Sequence, residues 1–247
     1  DGTLANHERG IASIEVQTVT YDALLDAAAL FAHLGRPILA RQLRRRAVRL
    51  GRTIIREFWT EDKGGYFVLG TDRDDKGRLR QLKLRTSNMG HVLNSRLLDG
   101  NDDESLRMRQ AVFDQLHSPE LLTRSGIRTL ASDEVRYREG SYHNGSVWIW
   151  DTHHIAKGIR RYSDDPVFQQ FAAELDDRIL MVSQKIGGFP EYVRGGDKIA
   201  VHRQTIDVFE TVAHRINRVE QPPQEVQAWT VAAILATNIR RGNLEEL

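Results

Sequence analysis

The chain has 247 residues, of which 40% are hydrophobic and 28% charged, and its formal net charge is only +1. This is the composition of an ordinary globular protein, and the near balance of charge argues against binding nucleic acid through bulk charge. Cysteine is absent, which excludes disulfides and thiolate metal sites, and no apolar run approaches the roughly 20 residues of a membrane span. Because a chain without disulfides suits a reducing compartment, we expect a cytoplasmic location.

Apolar residues spaced by about 3.6 positions predict seven helices. They cover about 14–34, 38–59, 87–98, 103–116, 145–162, 166–185 and 224–240. In the first helix the spacing predicts a buried face made of Val16, Val19, Leu24, Ala27, Ala28 and Phe31. In the second helix we interpret six arginines as a solvated outer face rather than a nucleic-acid site: Arg41, Arg44, Arg45, Arg46, Arg49 and Arg52.

The segments between the helices contain few strand signals. Residues 66–69 and 79–84 are predicted to pair as a hairpin around an Asp-Asp-Lys-Gly turn, and Ser87 is predicted to cap the third helix. Residues 118–143 and 187–224 are predicted to be long loops, which in compact domains tend to be functional. The fold class is therefore all-α with a small β-hairpin insertion. Successive helical hairpins fit an α/α toroid or a solenoid, and periodicity does not choose between them.

One chemically rich segment lies at a loop-to-helix junction. Residues 140–151 read Gly-Ser-Tyr-His-Asn-Gly-Ser-Val-Trp-Ile-Trp-Asp. Sugars offer apolar C–H faces and many hydroxyls, which aromatic rings and polar side chains can contact. The alternative is that Trp148 and Trp150 simply fill the core.

A second segment, Gly-Gly-Phe-Pro-Glu-Tyr at 187–192, places Glu191 in a glycine-rich loop after a helix. Glycoside hydrolysis requires two carboxyl groups, and a loop glutamate of this kind can face a cleft. The alternative is an ordinary exposed glutamate. Asp133, in the first long loop, and Glu15, in the first turn of the first helix, are further candidates whose default roles are turn formation and interaction with the helix dipole.

Other catalytic chemistries lack their motifs. The nine histidines show no metal-ligand spacing, and the adjacent His153 and His154 point about 100° apart on a helix. Dinucleotide, P-loop and serine-hydrolase motifs are also absent from the sequence. We therefore expect neither a metal ion nor a cofactor.

Five stretches of the chain resemble bacterial amylo-α-1,6-glucosidases, the glycogen-debranching type. They are Gly-Ile-Arg-Thr-Leu at 126–130, Tyr-His-Asn-Gly-Ser-Val-Trp at 142–148, Glu-Val-Gln at 15–17, Pro-Glu at 190–191 and Gln-Ala-Trp at 227–229. The Phe-Pro-Glu-Tyr spelling at 189–192 is also similar to mannosylglycerate hydrolases and processing α-glucosidases. Ile149 departs from the debranching pattern, which often has proline there.

The resemblance implies an (α/α)₆ toroid, an inverting mechanism on α-glucosidic linkages, and an oligosaccharide or small glycoside as substrate. It makes Glu191 the general base. The general acid of this group is an Asp in a Gly-Trp-x-Asp-Ser step, which this sequence does not contain. We therefore expect residues 1–247 to be the C-terminal part of one toroid domain. The residues expected to bind substrate are Glu15, Gln17, Arg128, Asp133, Tyr142, His143, Asn144, Trp148, Tyr192 and Trp229.

Three alternatives remain open at this point. One is a mannosyl- or glucosylglycerate hydrolase on the same fold, which the Phe-Pro-Glu-Tyr spelling favours. Another is a toroid that binds carbohydrate without hydrolysing it. The last is a solenoid adaptor, which predicts an open helical array without a central cleft.

Overall fold

The fold consists mainly of helices that follow one another as hairpins. A computed structural model describes residues 5–162, 164–201, 204–210, 215–221 and 223–243. Its seven α-helices confirm the predicted helical class: α1 Ile14–His33, α2 Pro37–Phe58, α3 His91–Asn94, α4 Asp103–His117, α5 Ile149–Arg160, α6 Pro166–Ile186 and α7 Ala228–Arg240. None of these helices is long and apolar enough to cross a membrane.

Local capping chemistry sets several of the helix ends. The Asp102 carboxylate accepts a hydrogen bond from Ser105 N at 2.9 Å and starts α4, and Asp165 does the same for α6 through Val167 N at 2.8 Å. Pro37 and Pro166 occupy first-turn positions, where a missing N–H costs nothing. Gly187 ends α6 in the left-handed region with φ 69°. These signals are local, so the sequence predicted these ends within a few residues.

The third predicted helix is not continuous. A 3-10 turn, Ser87–Gly90, leads into the short α3, and a second 3-10 turn, Arg96–Leu98, follows it. Ser95 breaks the helix because its backbone is extended, with ψ 155°, and its hydroxyl accepts from Leu97 N at 3.2 Å to start the next turn. The predicted Ser87 cap is also wrong, since Thr86 holds the N-cap position.

The β-hairpin has the predicted turn and second strand, but its first strand lies later in the chain than predicted. Strand β1 is Ala12–Ser13, β2 is Trp59–Thr60, β3 is Tyr66–Phe67, β4 is Gly70–Arg73 and β5 is Leu79–Leu82. The antiparallel hairpin joins β4 to β5, β1 pairs with the other edge of β4, and β3 pairs with β2 instead. Residues 66–68 are almost fully buried. Their apolar run therefore reflects packing in the core and not a strand of the hairpin.

Both predicted long loops contain strands. The first includes a hairpin of β6 Leu122–Thr123 and β7 Gly126–Ile127, and the second includes a hairpin of β8 Gln204–Glu210 and β9 Arg215–Gln221. Helices α5 and α7 each begin four residues later than predicted. At α5 the reason is that the backbone of Val147 pairs with Val193 and is not free to join the helix.

The apolar core has a larger and a smaller part. The larger cluster joins α2, α3, α4, α5 and α6, and the smaller one packs the start of α5 against α6, α7 and Val193. The six arginines of α2 are all exposed, which confirms the solvated face. The buried face predicted for α1 is only partly correct: Ala28 is fully buried, but Val16 is 54% and Val19 63% exposed. Helix α1 also buries Ile14 and Thr18, because it packs mainly on α2 and α3.

Helix α5 lies unusually close to α3. A Cβ atom added at Gly158 of α5 would lie 2.7 Å from Asn94 N, which is backbone and cannot yield cheaply. Alanine normally favours a helix over glycine by about 0.5–1 kcal/mol. Here we expect Gly158→Ala to lower the free energy of unfolding by about 1–3 kcal/mol, as overpacking does. Chemical denaturation measures the change.

The matched control is Gly188→Ala, because no atom lies within 4 Å of a Cβ atom there. It should leave the unfolding free energy almost unchanged. A Gly158→Ala variant as stable as the parent would contradict the close packing of α3 on α5.

Candidate active site

A cleft of about 580 Å³ opens where loops meet the first turns of α1, α5 and α7. Seven of the eleven residues predicted for the site line it: Glu15, Tyr142, His143, Asn144, Trp148, Glu191 and Trp229. These residues come from four separate parts of the chain. The fold therefore brings together stretches that the sequence singled out separately.

Backbone hydrogen bonds fix the loop that carries Glu191. Val193 and Val147 exchange two bonds of 2.9 Å, and Glu191 N donates to Gln224 O at 2.9 Å. On the other side, Thr230 of α7 donates its hydroxyl to Pro190 O at 2.9 Å. The loop is thus held between the start of α5 and the start of α7, which makes the position of the glutamate well defined.

The Glu191 carboxylate receives one donor on each oxygen. The Tyr142 hydroxyl donates to Oε1, and Gln224 N donates to Oε2 at 3.1 Å. Burial first, and then the hydrogen bond to Glu191, raise the pKa of Tyr142 to about 12. The phenol therefore stays a donor through the neutral range. A carboxylate oxygen can accept more than one hydrogen bond, so Glu191 keeps capacity for a water molecule.

Aromatic rings form the wall beside Glu191. Trp148 stacks on His143 with centroids 5.7 Å apart and planes 5° apart, and it stacks on Tyr192 at 5.7 Å. Tyr142 meets Trp148 edge-on at 4.9 Å. The indole N–H of Trp148 donates to Tyr142 O at 3.1 Å, which satisfies its polar group. The ring faces are therefore fixed without any ligand.

A second aromatic pair stands at another part of the cleft. Trp150 and Trp229 meet edge-on with centroids 5.2 Å apart. Trp229 is 58% exposed, which is high for so large an apolar ring. Gln227 positions it by capping α7, since its side-chain oxygen accepts from Trp229 N at 2.8 Å. An exposed ring at a cleft is suited to packing against the C–H face of a sugar.

Several residues that line the cleft were not predicted as site residues, among them Asn88, His91 and Asp151. Asn88 donates its amide to the Glu15 carboxylate, and His91 Nε2 donates to Asp151 Oδ1 at 2.6 Å. Asp151 ends the aromatic segment and could have been chosen on that ground. Asn88 and His91 gave no local signal, because only the tertiary packing of α3 on α1 and α5 brings them to the cleft.

Two of the predicted site residues hold loops and do not line the cleft. Arg128 is buried, and its guanidinium donates to the backbone carbonyls of Pro119 at 2.7 Å and Glu120 at 2.8 Å. Asp133 accepts from Lys63 Nζ at 2.9 Å and from the Arg85 guanidinium. Both assignments rested on residue type. Backbone carbonyls engage the Arg128 guanidinium and ion pairs engage the Asp133 carboxylate, so these groups are already occupied by protein partners.

Tyr192 and Gln17 also lie outside the cleft lining. Tyr192 is fully buried behind Trp148 and Tyr142, so it supports those rings instead of offering its own face. Gln17 lies on α1, two residues after Glu15. Among the described residues no group of three or more His, Asp or Glu is placed to hold a metal ion.

The fold is that of known glycosidases. A mannosylglycerate hydrolase of Thermus thermophilus, solved with glucose, superposes with a TM-score of 0.62 at 18% identity, over 92% of this chain and 44% of that chain. The same hydrolase, solved with Tris and D-glycerate, superposes with a TM-score of 0.55 at 21% identity, over 76% of this chain and 43% of that chain. A sialidase superposes with a TM-score of 0.64 at 12% identity, over 79% of this chain and 19% of that chain. This chain thus spans less than half the length of these structures. A search of curated protein sequences finds no match.

These superpositions define the class as the six-hairpin toroid glycosidase fold. A family model then gives the family: residues 1–197 match the mannosylglycerate hydrolase MGH1-like glycoside hydrolase domain. Because this match covers most of the 247 residues, the chain belongs to that family. The result supports the wider group of six-hairpin glycosidases and does not single out the amylo-α-1,6-glucosidases within it.

The contact between Tyr142 and Glu191 can be tested without a substrate. Replacing Glu191 by glutamine removes the negative charge that favours the protonated phenol. We expect the pKa of Tyr142 to fall from about 12 but to stay above its ordinary value of 10, because burial persists. Carbon-13 NMR of labelled tyrosine rings measures the titration.

Tyr162 is an internal control, since burial also raises its pKa to about 12 and Glu191 is not among the causes. Its titration should be the same in both proteins. An unchanged pKa of Tyr142 would show that the phenol does not donate to Glu191.

Proposed function

We propose that this chain forms part of the active site of an inverting glycoside hydrolase, in which Glu191 is the general base. The observation that carries the proposal is the Glu191 carboxylate, held by Tyr142 and Gln224 in a cleft with aromatic walls. In an inverting mechanism the base removes a proton from a water molecule, which attacks the anomeric carbon opposite the leaving group. The two fixed donors orient the carboxylate and leave it able to accept from that water.

The general acid must be a second carboxyl group about 6.5–9.5 Å from the base. We propose that it is the Asp of the Gly-Trp-x-Asp-Ser step, which is not among these 247 residues. Trp148 and Trp229 would contact sugar C–H faces, with Tyr142 and His143 completing the wall. Glu15 and Asn144 would accept from and donate to hydroxyls.

Roles remain for the four predicted residues outside the cleft. Arg128 would hold the loop before the aromatic segment in place, and Tyr192 would support the ring of Trp148. Asp133 and Gln17 would act only indirectly, through the loop and the helix that carry them.

We propose a neutral α-glucoside as the substrate, as in the amylo-α-1,6-glucosidases. The support is the charge of the cleft. Its described lining contains three carboxylates, Glu15, Asp151 and Glu191, and neither lysine nor arginine. An anionic aglycone would be repelled there, whereas a neutral sugar would only exchange hydrogen bonds with water for hydrogen bonds with protein.

A mannosyl- or glucosylglycerate is the second candidate substrate. The family description and the similarity to a mannosylglycerate hydrolase favour it. A toroid that binds carbohydrate without hydrolysis is a third reading, and it predicts sugar binding without turnover.

The base assignment predicts a large effect from a small change. In the intact protein, Glu191→Gln should lower kcat at least a thousandfold with little change in KM, because the amide cannot accept the proton from water. Added azide should restore turnover and give a glycosyl azide of inverted configuration, since this anion attacks without needing a base. Product analysis by proton NMR detects it.

The matched control is Glu174→Gln, a partly exposed glutamate of α6 that accepts a hydrogen bond from Gln170 at 3.3 Å and does not line the cleft. It should leave kcat unchanged. Turnover by Glu191→Gln within about threefold of the parent would rule out Glu191 as the base.

The charge of the cleft predicts the order of substrates. We expect kcat/KM for an α-1,6-linked glucoside to exceed that for glucosylglycerate and mannosylglycerate by at least tenfold at low salt, where repulsion is least screened. Initial rates on the purified intact protein at two salt concentrations measure the ratio. A higher kcat/KM for either glycerate compound would favour the second candidate.

A further inference from the structure

A buried ion pair lies on the wall of the cleft. His91 and Asp151 have side chains only 8% and 7% exposed, and His91 Nε2 lies 2.6 Å from Asp151 Oδ1. Both residues line the cleft. Removing two charges from water costs free energy that their mutual attraction often does not recover, so such a pair is weak evidence of a role in stability. Its place on the cleft wall suggests that it serves a ligand.

Titratable groups from two helices, α1 and α5, surround His91. Asp151 and His154 approach from α5, with the His154 ring centroid 4.6 Å away, and Glu15 acts on His91 from α1. Burial alone would lower the pKa of His91, but the hydrogen bond and the charge of Asp151 raise it above 6.5. Burial lowers the pKa of His154 to about 4, so His154 is neutral and the positive charge resides on His91.

The pair leaves one donor of His91 unused. Because Nε2 donates to Asp151, the protonated ring presents its other N–H, at Nδ1, and that nitrogen makes no hydrogen bond to any residue that the structure describes. The imidazolium is also the one cation of the described cleft lining, since partial burial lowers the pKa of His143. His91 lines the cleft, and a charged N–H is a strong donor for a hydroxyl oxygen.

We propose that His91, held protonated by Asp151, binds a hydroxyl group of a neutral sugar through Nδ1–H, and that Asp151 is a positioning residue for this contact. The proposal rests on the cleft being a sugar site, but it does not require that Glu191 be the base. The contact would give the side of the cleft formed by α3 and α5 a part in specificity. It would supply a charged N–H donor, which neither a carboxylate nor an amide in the same position provides.

Binding of D-glucose, which the enzyme cannot hydrolyse, tests the proposal in the intact protein. Titration calorimetry from pH 5.5 to 9 gives the affinity of the parent, His91→Gln, Asp151→Asn and the control His153→Gln. His153 directly precedes His154 in α5. Its Nδ1 atom lies 3.2 Å from the hydroxyl oxygen of Thr237, and it does not line the cleft. Thermal unfolding of each variant separates loss of folding from loss of binding.

The expected results differ in kind between the variants. His91→Gln should weaken glucose binding by about tenfold or more, the worth of one charged hydrogen bond. In the parent, affinity should be full at low pH and fall as pH rises through the raised pKa of His91, above 6.5. Asp151→Asn should move that fall below pH 6.5, because burial, which lowers the pKa of His91, then outweighs the smaller effect of Glu15, which raises it. His153→Gln should match the parent.

Two outcomes would overturn the proposal. One is a folded His91→Gln variant that binds glucose within twofold of the parent. The other is a parent affinity that stays constant between pH 6 and 9, which needs no variant and so holds even if substitutions prevent folding. Failure of the base assignment is distinct, since it appears as turnover by Glu191→Gln and leaves glucose binding by His91 unaffected.

Discussion

The close approach of α3 to α5 is the constraint on which the cleft depends. Gly90 and Gly158 make it possible: a Cβ at Gly90 would lie 2.7 Å from a side-chain carbon of Ile155, and one at Gly158 would meet the backbone of Asn94. Gly90 directly precedes His91, and α5 begins directly after Trp148. The two glycines therefore set the distance between the His91 side of the cleft and its aromatic side. Side chains at these positions would separate His91 from Asp151.

Some of the fold could be predicted from the sequence because its causes are local. Prolines, aspartates and a left-handed glycine start or end α2, α4 and α6, and each acts within one helical turn. The buried face of α1 could be predicted only in part, since Val16 and Ile14 have similar hydrophobicity and only the positions of α2 and α3 decide which is covered. The first strand of the hairpin was placed wrongly for the same reason, because residues 66–68 are buried by tertiary packing and β4 pairs with β5 instead.

The residues of the candidate site divide in the same way: local sequence patterns identified some of them, and only the tertiary fold identifies the others. Stretches dense in aromatic and polar residues led to Tyr142, Trp148 and Glu191, all of which line the cleft. Residue type alone did not distinguish Glu15, which lines the cleft, from Asp133, which is engaged by Lys63 and Arg85. His91 is a single histidine in an apolar stretch, and only the fold gives it a partner sixty residues away.

The proposed mechanism requires Glu191 to act on a water molecule at the anomeric carbon of a bound sugar. A crystal structure of the intact protein with D-glucose tests this most directly. We expect the pyranose ring to lie against Trp148, with a water about 2.6–3.2 Å from a Glu191 oxygen, between that oxygen and the anomeric carbon. Glucose bound elsewhere, or bound in the cleft with no room for water between Glu191 and the anomeric carbon, would contradict it.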